Sequence, residues 1–175
     1  MTEIVVRKLD ENVDFSYIER IAKLHIKAFP NFFLTQLGLH FLMTLYMGYL
    51  EDSYSGLLIA EDEKKRLLGF IAYSNDYSRF YKKLLKSHII QFAVCSIVVV
   101  IKHPSFIKRL VGAFKKSSEV RREEKYVELA SIGVDPELEG KGIGSHLIDK
   151  LKEITDFSKY AYISLETDAE KNEWA

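Results

Sequence analysis

A chain of 175 residues with 47% hydrophobic and 29% charged side chains has the make-up of a globular protein with room for a sizeable core. Its 25 Lys and Arg balance 25 Asp and Glu, so no whole-molecule field argues for a nucleic-acid partner. The lone cysteine excludes an internal disulfide framework and suits a reducing compartment. The N-terminal stretch carries no secretory pattern. We read the protein as cytoplasmic and as a single domain over residues 1–175.

In chain order, residues 4–9 read as a first strand. Asp14 is placed to cap a helix whose apolar face is Phe15, Ile18, Ile21, Ala22 and Ile26, ending before Pro30. Residues 32–50, rich in Phe, Leu, Met and Tyr, read as a second helix or a helix pair. Residues 56–61 and 67–75 form a hairpin across the charged link 62–66.

An insertion of about fifty residues follows, over 76–124. From Arg79 to Arg122 it holds eleven Lys or Arg against the single Glu119, a net +10 offset by −10 in the rest of the chain. Within it, residues 89–101 (IIQFAVCSIVVVI) are an apolar run too short for the roughly 20 residues of a membrane span. A buried helix or strand is the first reading of this run. Cys95 within it reads as an inert core thiol. The flanking lysine clusters raise peripheral membrane contact as a second reading, which we do not favour.

Residues 127–145 (VELASIGVDPELEGKGIGS) read as a strand, a Pro-marked loop and a glycine-rich turn into a helix. Gly140, Gly142 and Gly144 let the chain turn tightly and approach a ligand without a Cβ in the way. The backbone N–H groups at the helix start then form a phosphate or pyrophosphate site. Ile143, Leu147, Leu151 and Ile154 fall on one face of that helix. Ser145 has no G-x-S-x-G elbow around it and is expected to donate to phosphate or to cap the helix. Residues 160–167 (YAYISLET) read as a last strand. His25, His40, His88, His103 and His146 show no metal-binding spacing; each reads as a surface or satisfied histidine, and no metal is expected.

These segments, in this order, resemble the GNAT superfamily of N-acetyltransferases. The family's acetyl-CoA signature is Q/R-x-x-G-x-G/A. Gly142 and Gly144 occupy its glycine positions, and Glu139 stands where Arg or Gln is usual. The resemblance covers residues 4–6, 57–73 and 126–175. It implies an α/β (α+β) fold with a mixed, mostly antiparallel central sheet flanked by helices. It also implies acetyl-CoA as acyl donor and a primary amine of a small molecule or peptide as acceptor.

Carried over residue by residue, the resemblance pairs the main chain of Ile132, Gly133 and Val134 with the pantetheine arm. It places the pyrophosphate on Glu139, Gly140, Lys141, Gly142, Ile143, Gly144 and Ser145, and adds Asn172 to the cofactor-binding set. An amide near Ser131 or Ile132 would polarise the thioester carbonyl. Glu128 would be the general base, acting directly or through water. Strand alternation sets Leu129 and Ser131 on one face, Glu128 and Ala130 on the other. A carboxylate at 139 suits the helix dipole but repels a pyrophosphate if it points inward, a charge that Lys141 offsets.

Where relatives continue with a tyrosine-bearing helix and closing strands, this sequence stops at Ala175. We therefore expect a truncated chain or completion by another copy, hence dimerisation or weak stability. The insertion is expected to cover the acceptor end, and its basic charge hints at an anionic acceptor. Two other readings stand beside this one. A dinucleotide-binding fold is opposed by the six-residue loop with Pro136 and by the lack of repeated βαβ units. A catalytically degenerate GNAT-like protein that binds CoA or a partner is favoured by Glu139 and the absent helix.

Overall fold

A computed structural model describes residues 4–10, 12–102 and 124–165. Strand β1 (Val5–Lys8) leads into α1 (Phe15–Ala28), where the Asp14 carboxylate accepts from the Ser16 amide at 2.9 Å, the expected N-cap. The aromatic stretch forms a helix pair, α2 (Phe33–Gln36) and α3 (Leu39–Glu51). Strands β2 (Ser55–Glu61) and β3 (Leu67–Ser74) form the hairpin, and α4 (Tyr77–Lys102) opens the insertion. Then come β4 (Tyr126–Val134), a 3-10 turn (Pro136–Leu138), α5 (Ile143–Ile154) and β5 (Tyr162–Leu165).

The five strands lie in one sheet in sequence order. β1 to β4 pair antiparallel, while β4 and β5 pair in parallel over residues 126–129 of β4. Helices cover both faces, as expected for a mixed sheet. On one face Ile18, Ile21, Leu42, Tyr46 and Phe80 of α1, α3 and α4 pack on Leu57, Ile59 and Phe70. On the other, Ile143, Leu147 and Leu151 of α5 pack on Leu58, Ile71, Val127 and Leu129. Each such side chain removed from water contributes about 1.5–3 kcal/mol.

One residue breaks the period of two on which the strand reading relied. In the β3–β4 ladder Ala72 faces Ser131 but Tyr73 faces Leu129, so Ala130 is bulged out. The bulge resets the alternation. Val127, Leu129, Ile132 and Val134 pack towards α5, whereas Ala130 and Ser131 both turn to the α1–α3 side. Ser131 therefore shares a face with Ala130 and not with Leu129, contrary to the sequence reading.

The apolar faces need three further corrections. Phe15 and Ile154 lie in the terminal turns of their helices and are 55% and 38% exposed. The run 89–101 is helical, and among its described side chains only Phe92 and Ser96 are buried. Ile89, Ile90, Val94, Ile97 and Ile101 are exposed among the described residues. A kink at His88 (φ −125°, ψ 15°) divides α4, and in its second half Phe92 meets Phe41 (ring centroids 4.7 Å). Among the described residues, no helix is long and apolar enough to cross a membrane.

The first half of α4 is fixed by its charge. The buried Asp52 carboxylate accepts from Arg79 at 3.1 Å, from Lys83 at 3.4 Å and from the Ser55 hydroxyl at 2.9 Å. Two of the insertion's basic residues thus anchor α4 to the end of α3. The cluster at 108–116 lies outside the described residues.

Candidate active site

The C-terminal end of β4 opens into a cleft of about 620 Å³, floored by the strand and walled by the loop and the start of α5. Two backbone torsions shape the wall. Gly140 and Gly142 sit at φ +76° and +74°, in the left-handed region where a side chain is strained, and a Cβ at either would meet open space. Gly142 is the N-cap of α5 and no side chain caps the helix, so the first-turn amides have no partner within it. They are donors at the positive end of a helix dipole. Gly144 has ordinary helical torsions, and a Cβ there would only touch Val134 at 3.8 Å.

The loop is held from α1. Lys27 Nζ lies 2.8 Å from both the Asp135 and Glu137 carboxylates, and Asp135 caps the 3-10 turn by accepting from the Glu137 amide. Burial pushes the Asp135 carboxyl up, but its bonds to Lys27 and the Glu137 amide outweigh that and hold it below the usual value. The lysine itself is pushed up by the same two carboxylates.

Ile132, Gly133, Val134, Glu139, Gly140, Lys141, Gly142, Ile143, Gly144 and Ser145 all line the cleft. Glu139 and Lys141 are both exposed at its rim. Ser145 stands in the first turn, and the capping position belongs to Gly142 instead. Asn172 lies outside the described residues.

A second cavity of about 200 Å³ begins where the first ends. Ser131 lines the cavity, and the next residue, Ile132, lines the cleft. Phe29 of the cleft and Phe32 of the cavity stand 6.3 Å apart, ring to ring. The bulge at Ala130 creates this junction by turning two consecutive β4 residues towards the helices.

Sequence reasoning missed most of this cavity. His25 and Tyr46 are buried and joined at 2.6 Å between Nδ1 and the phenol, and the Ser131 hydroxyl bonds to the same phenol. Burial pushes the His25 imidazole down to about 4, leaving it neutral at pH 7. Its Nε2 has no hydrogen-bond partner among the described residues, so His25 is neither a surface nor a satisfied histidine. Its position offered a signal: residue 25 lies four after Ile21 and seven after Ile18, on the buried stripe of α1.

Across the cavity, Tyr77 donates to the Tyr81 hydroxyl at 2.9 Å, and Tyr49 donates to it as well. Burial raises the Tyr46, Tyr49 and Tyr81 phenols, and the charge of Glu128 raises Tyr81 further. All three stay protonated at neutral pH. Glu128 is buried on β4, opposite Ser74 on β3 and Ser164 on β5. Three strand residues, about 10 Å, separate it from Ser131. Among the described residues no three His, Cys, Asp or Glu are grouped to hold a metal ion.

The family model described as "Acetyltransferase (GNAT) family" matches residues 18–175. No curated protein matches the chain in sequence. Among solved structures, the chain is similar to the aminoglycoside N-acetyltransferase AAC(6')-Iy in complex with CoA, with a TM-score of 0.61 at 12% identity over 98% of this chain and 82% of that one. It is also similar to the aminoglycoside acetyltransferase meta-AAC0020 from an uncultured soil metagenomic sample, in complex with sisomicin (TM-score 0.59, 13% identity, 98% and 81% covered). A ribosomal-protein-alanine N-acetyltransferase from Brucella melitensis biovar Abortus 2308 shares the fold at TM-score 0.53 and 13% identity, with 98% and 84% covered.

Proposed function

The chain belongs to the GNAT family of acetyltransferases, and on that footing we propose that it moves an acetyl group from acetyl-CoA to a primary amine of a small molecule or peptide. The observation that carries this reading is the uncapped start of α5, with left-handed Gly140 and Gly142, set beside the free end of β4. Such a start offers convergent amides to a pyrophosphate, and the main chain of residues 132–134 offers a strand edge to the pantetheine arm. One protein of the same fold, AAC(6')-Iy, was solved both with CoA and with a CoA conjugate, which fits a CoA thioester as the donor here.

In this reading an amide near Ser131 or Ile132 holds the thioester carbonyl as negative charge develops on its oxygen. The amine nitrogen bonds to the carbonyl carbon, the C–S bond breaks, and the departing CoA sulfur takes up the second proton the nitrogen sheds, leaving as the thiol. The proton lost by the ammonium passes to Glu128 through a water beside the Tyr81 hydroxyl. Asn172 is proposed to join the cofactor contacts.

Calorimetric titration tests the donor half. Acetyl-CoA should bind, and S-acetyl-pantetheine, which lacks the pyrophosphate, should bind at least about tenfold more weakly. Equal affinity for the two would remove the glycine turn from donor binding.

A further inference from the structure

The cavity beside the cleft is built of rings. Phe32, Phe33, Phe41, Tyr46, Tyr81 and Phe92 come from α3, α4 and the segment between α1 and α3, and among the described residues no Lys, Arg, Asp or Glu lines the space. An apolar cavity of about 150 Å³ admits a benzene ring. At about 200 Å³ this one takes a single ring with a short tail.

The wall hydroxyls already serve one another. Tyr77 and Tyr49 donate to Tyr81, and Tyr46 is shared by His25 and Ser131. A polyhydroxylated amine would bring several groups that find no partner, each of them stripped of water without compensation. One buried polar atom is left over, His25 Nε2, in a residue only 2% exposed. It meets one polar substituent and no more.

We propose that the acceptor is a primary amine carried on one aromatic ring, seated between Phe32 and Tyr81 with its nitrogen at Ser131. This deepens the acetyl-transfer reading and rests on it. The insertion then has a defined duty, since Tyr77, Tyr81 and Phe92 of α4 close the cavity. Among the insertion's described basic residues, Arg79 and Lys83 are spent on Asp52 and none lines the cavity.

The full chain is assayed for thiol release at saturating acetyl-CoA with benzylamine, phenethylamine and tyramine, and separately with glucosamine and spermidine. The aromatic amines should show kcat/KM at least about tenfold higher. Leu34→Trp, which puts an indole into the cavity away from the cleft, should raise KM for phenethylamine about tenfold with acetyl-CoA affinity unchanged. Preference for glucosamine or spermidine overturns the aromatic acceptor and leaves acetyl transfer standing, as does a phenethylamine KM that Leu34→Trp does not move. If no amine is turned over although acetyl-CoA binds, the transfer reading falls. In that case saturable binding of phenethylamine by calorimetry, lost in Leu34→Trp, supports the ring site, and its absence overturns it.

Discussion

His25 makes stability depend on pH in a window where the other perturbed groups are silent. Burial holds its imidazole at about 4, against 6.5 in the unfolded chain. Between those values the unfolded chain binds a proton that the folded chain refuses, so stability rises with pH across the window and is lost as pH falls through it. The whole shift corresponds to about 3 kcal/mol at 1.36 kcal/mol per unit. At pH 5 the unfolded imidazole is nearly all charged and the folded one nearly all neutral, which costs about 2 kcal/mol relative to pH 7. Asp14, Asp62, Asp135 and Asp156 are all held below 3.8 and lose their contributions only at lower pH. Urea unfolding followed by far-UV circular dichroism at pH 7 and pH 5 gives the loss. His25→Gln, measured alongside, subtracts every other titrating group. Wild type should lose about 2 kcal/mol more than the variant over this interval. An equal loss in both proteins would show that His25 is not buried neutral, and the account of the cavity wall would fail with it.

Three substitutions probe the rest of the site. Glu128→Gln should lower turnover at neutral pH about a hundredfold while calorimetric acetyl-CoA affinity stays put; unchanged turnover would take Glu128 out of the mechanism. Gly142→Val forces a branched side chain to φ +74° at the start of α5, so it should cost about 1–2 kcal/mol in stability and weaken acetyl-CoA binding about tenfold. Wild-type affinity in that variant would contradict the glycine cradle. At Gly133 the obstacle is packing, because a Cβ there would come within 2.6 Å of the buried Phe70 ring and 3.3 Å of Phe29. Gly133→Ala should therefore destabilise by about 1–3 kcal/mol in thermal or urea melts, and a neutral result would mean the strand is not seated as described.

The order of elements was readable because each one announces itself locally. The Asp14 cap, the charged hairpin link at 62–66 and the strand, Pro136 loop and glycine turn all appear where the sequence places them. The residues lining the cleft followed from that order, since the loop and the glycine turn stand beside the end of β4. What the sequence concealed were features set by one residue or by tertiary contact. Nothing at Ala130 distinguishes a bulge from continuous strand, yet it decides that Ser131 faces the cavity. Tyr46, Tyr49, Tyr77 and Tyr81 are spread over α3 and α4, and only their convergence shows that they leave a space. The run 89–101 is apolar on every side, so periodicity could not tell which stripe packs, and the kink at His88 is invisible in composition.

Acetyl transfer is tested most directly by incubating the full chain with acetyl-CoA and a mixture of primary amines, then measuring free thiol and N-acetylated product together by mass spectrometry. Acetyl transfer predicts amine-dependent thiol release matched one for one by a single class of acetylated amine. Folded protein that binds acetyl-CoA yet yields neither would contradict it, and would favour a GNAT fold that holds CoA without using it.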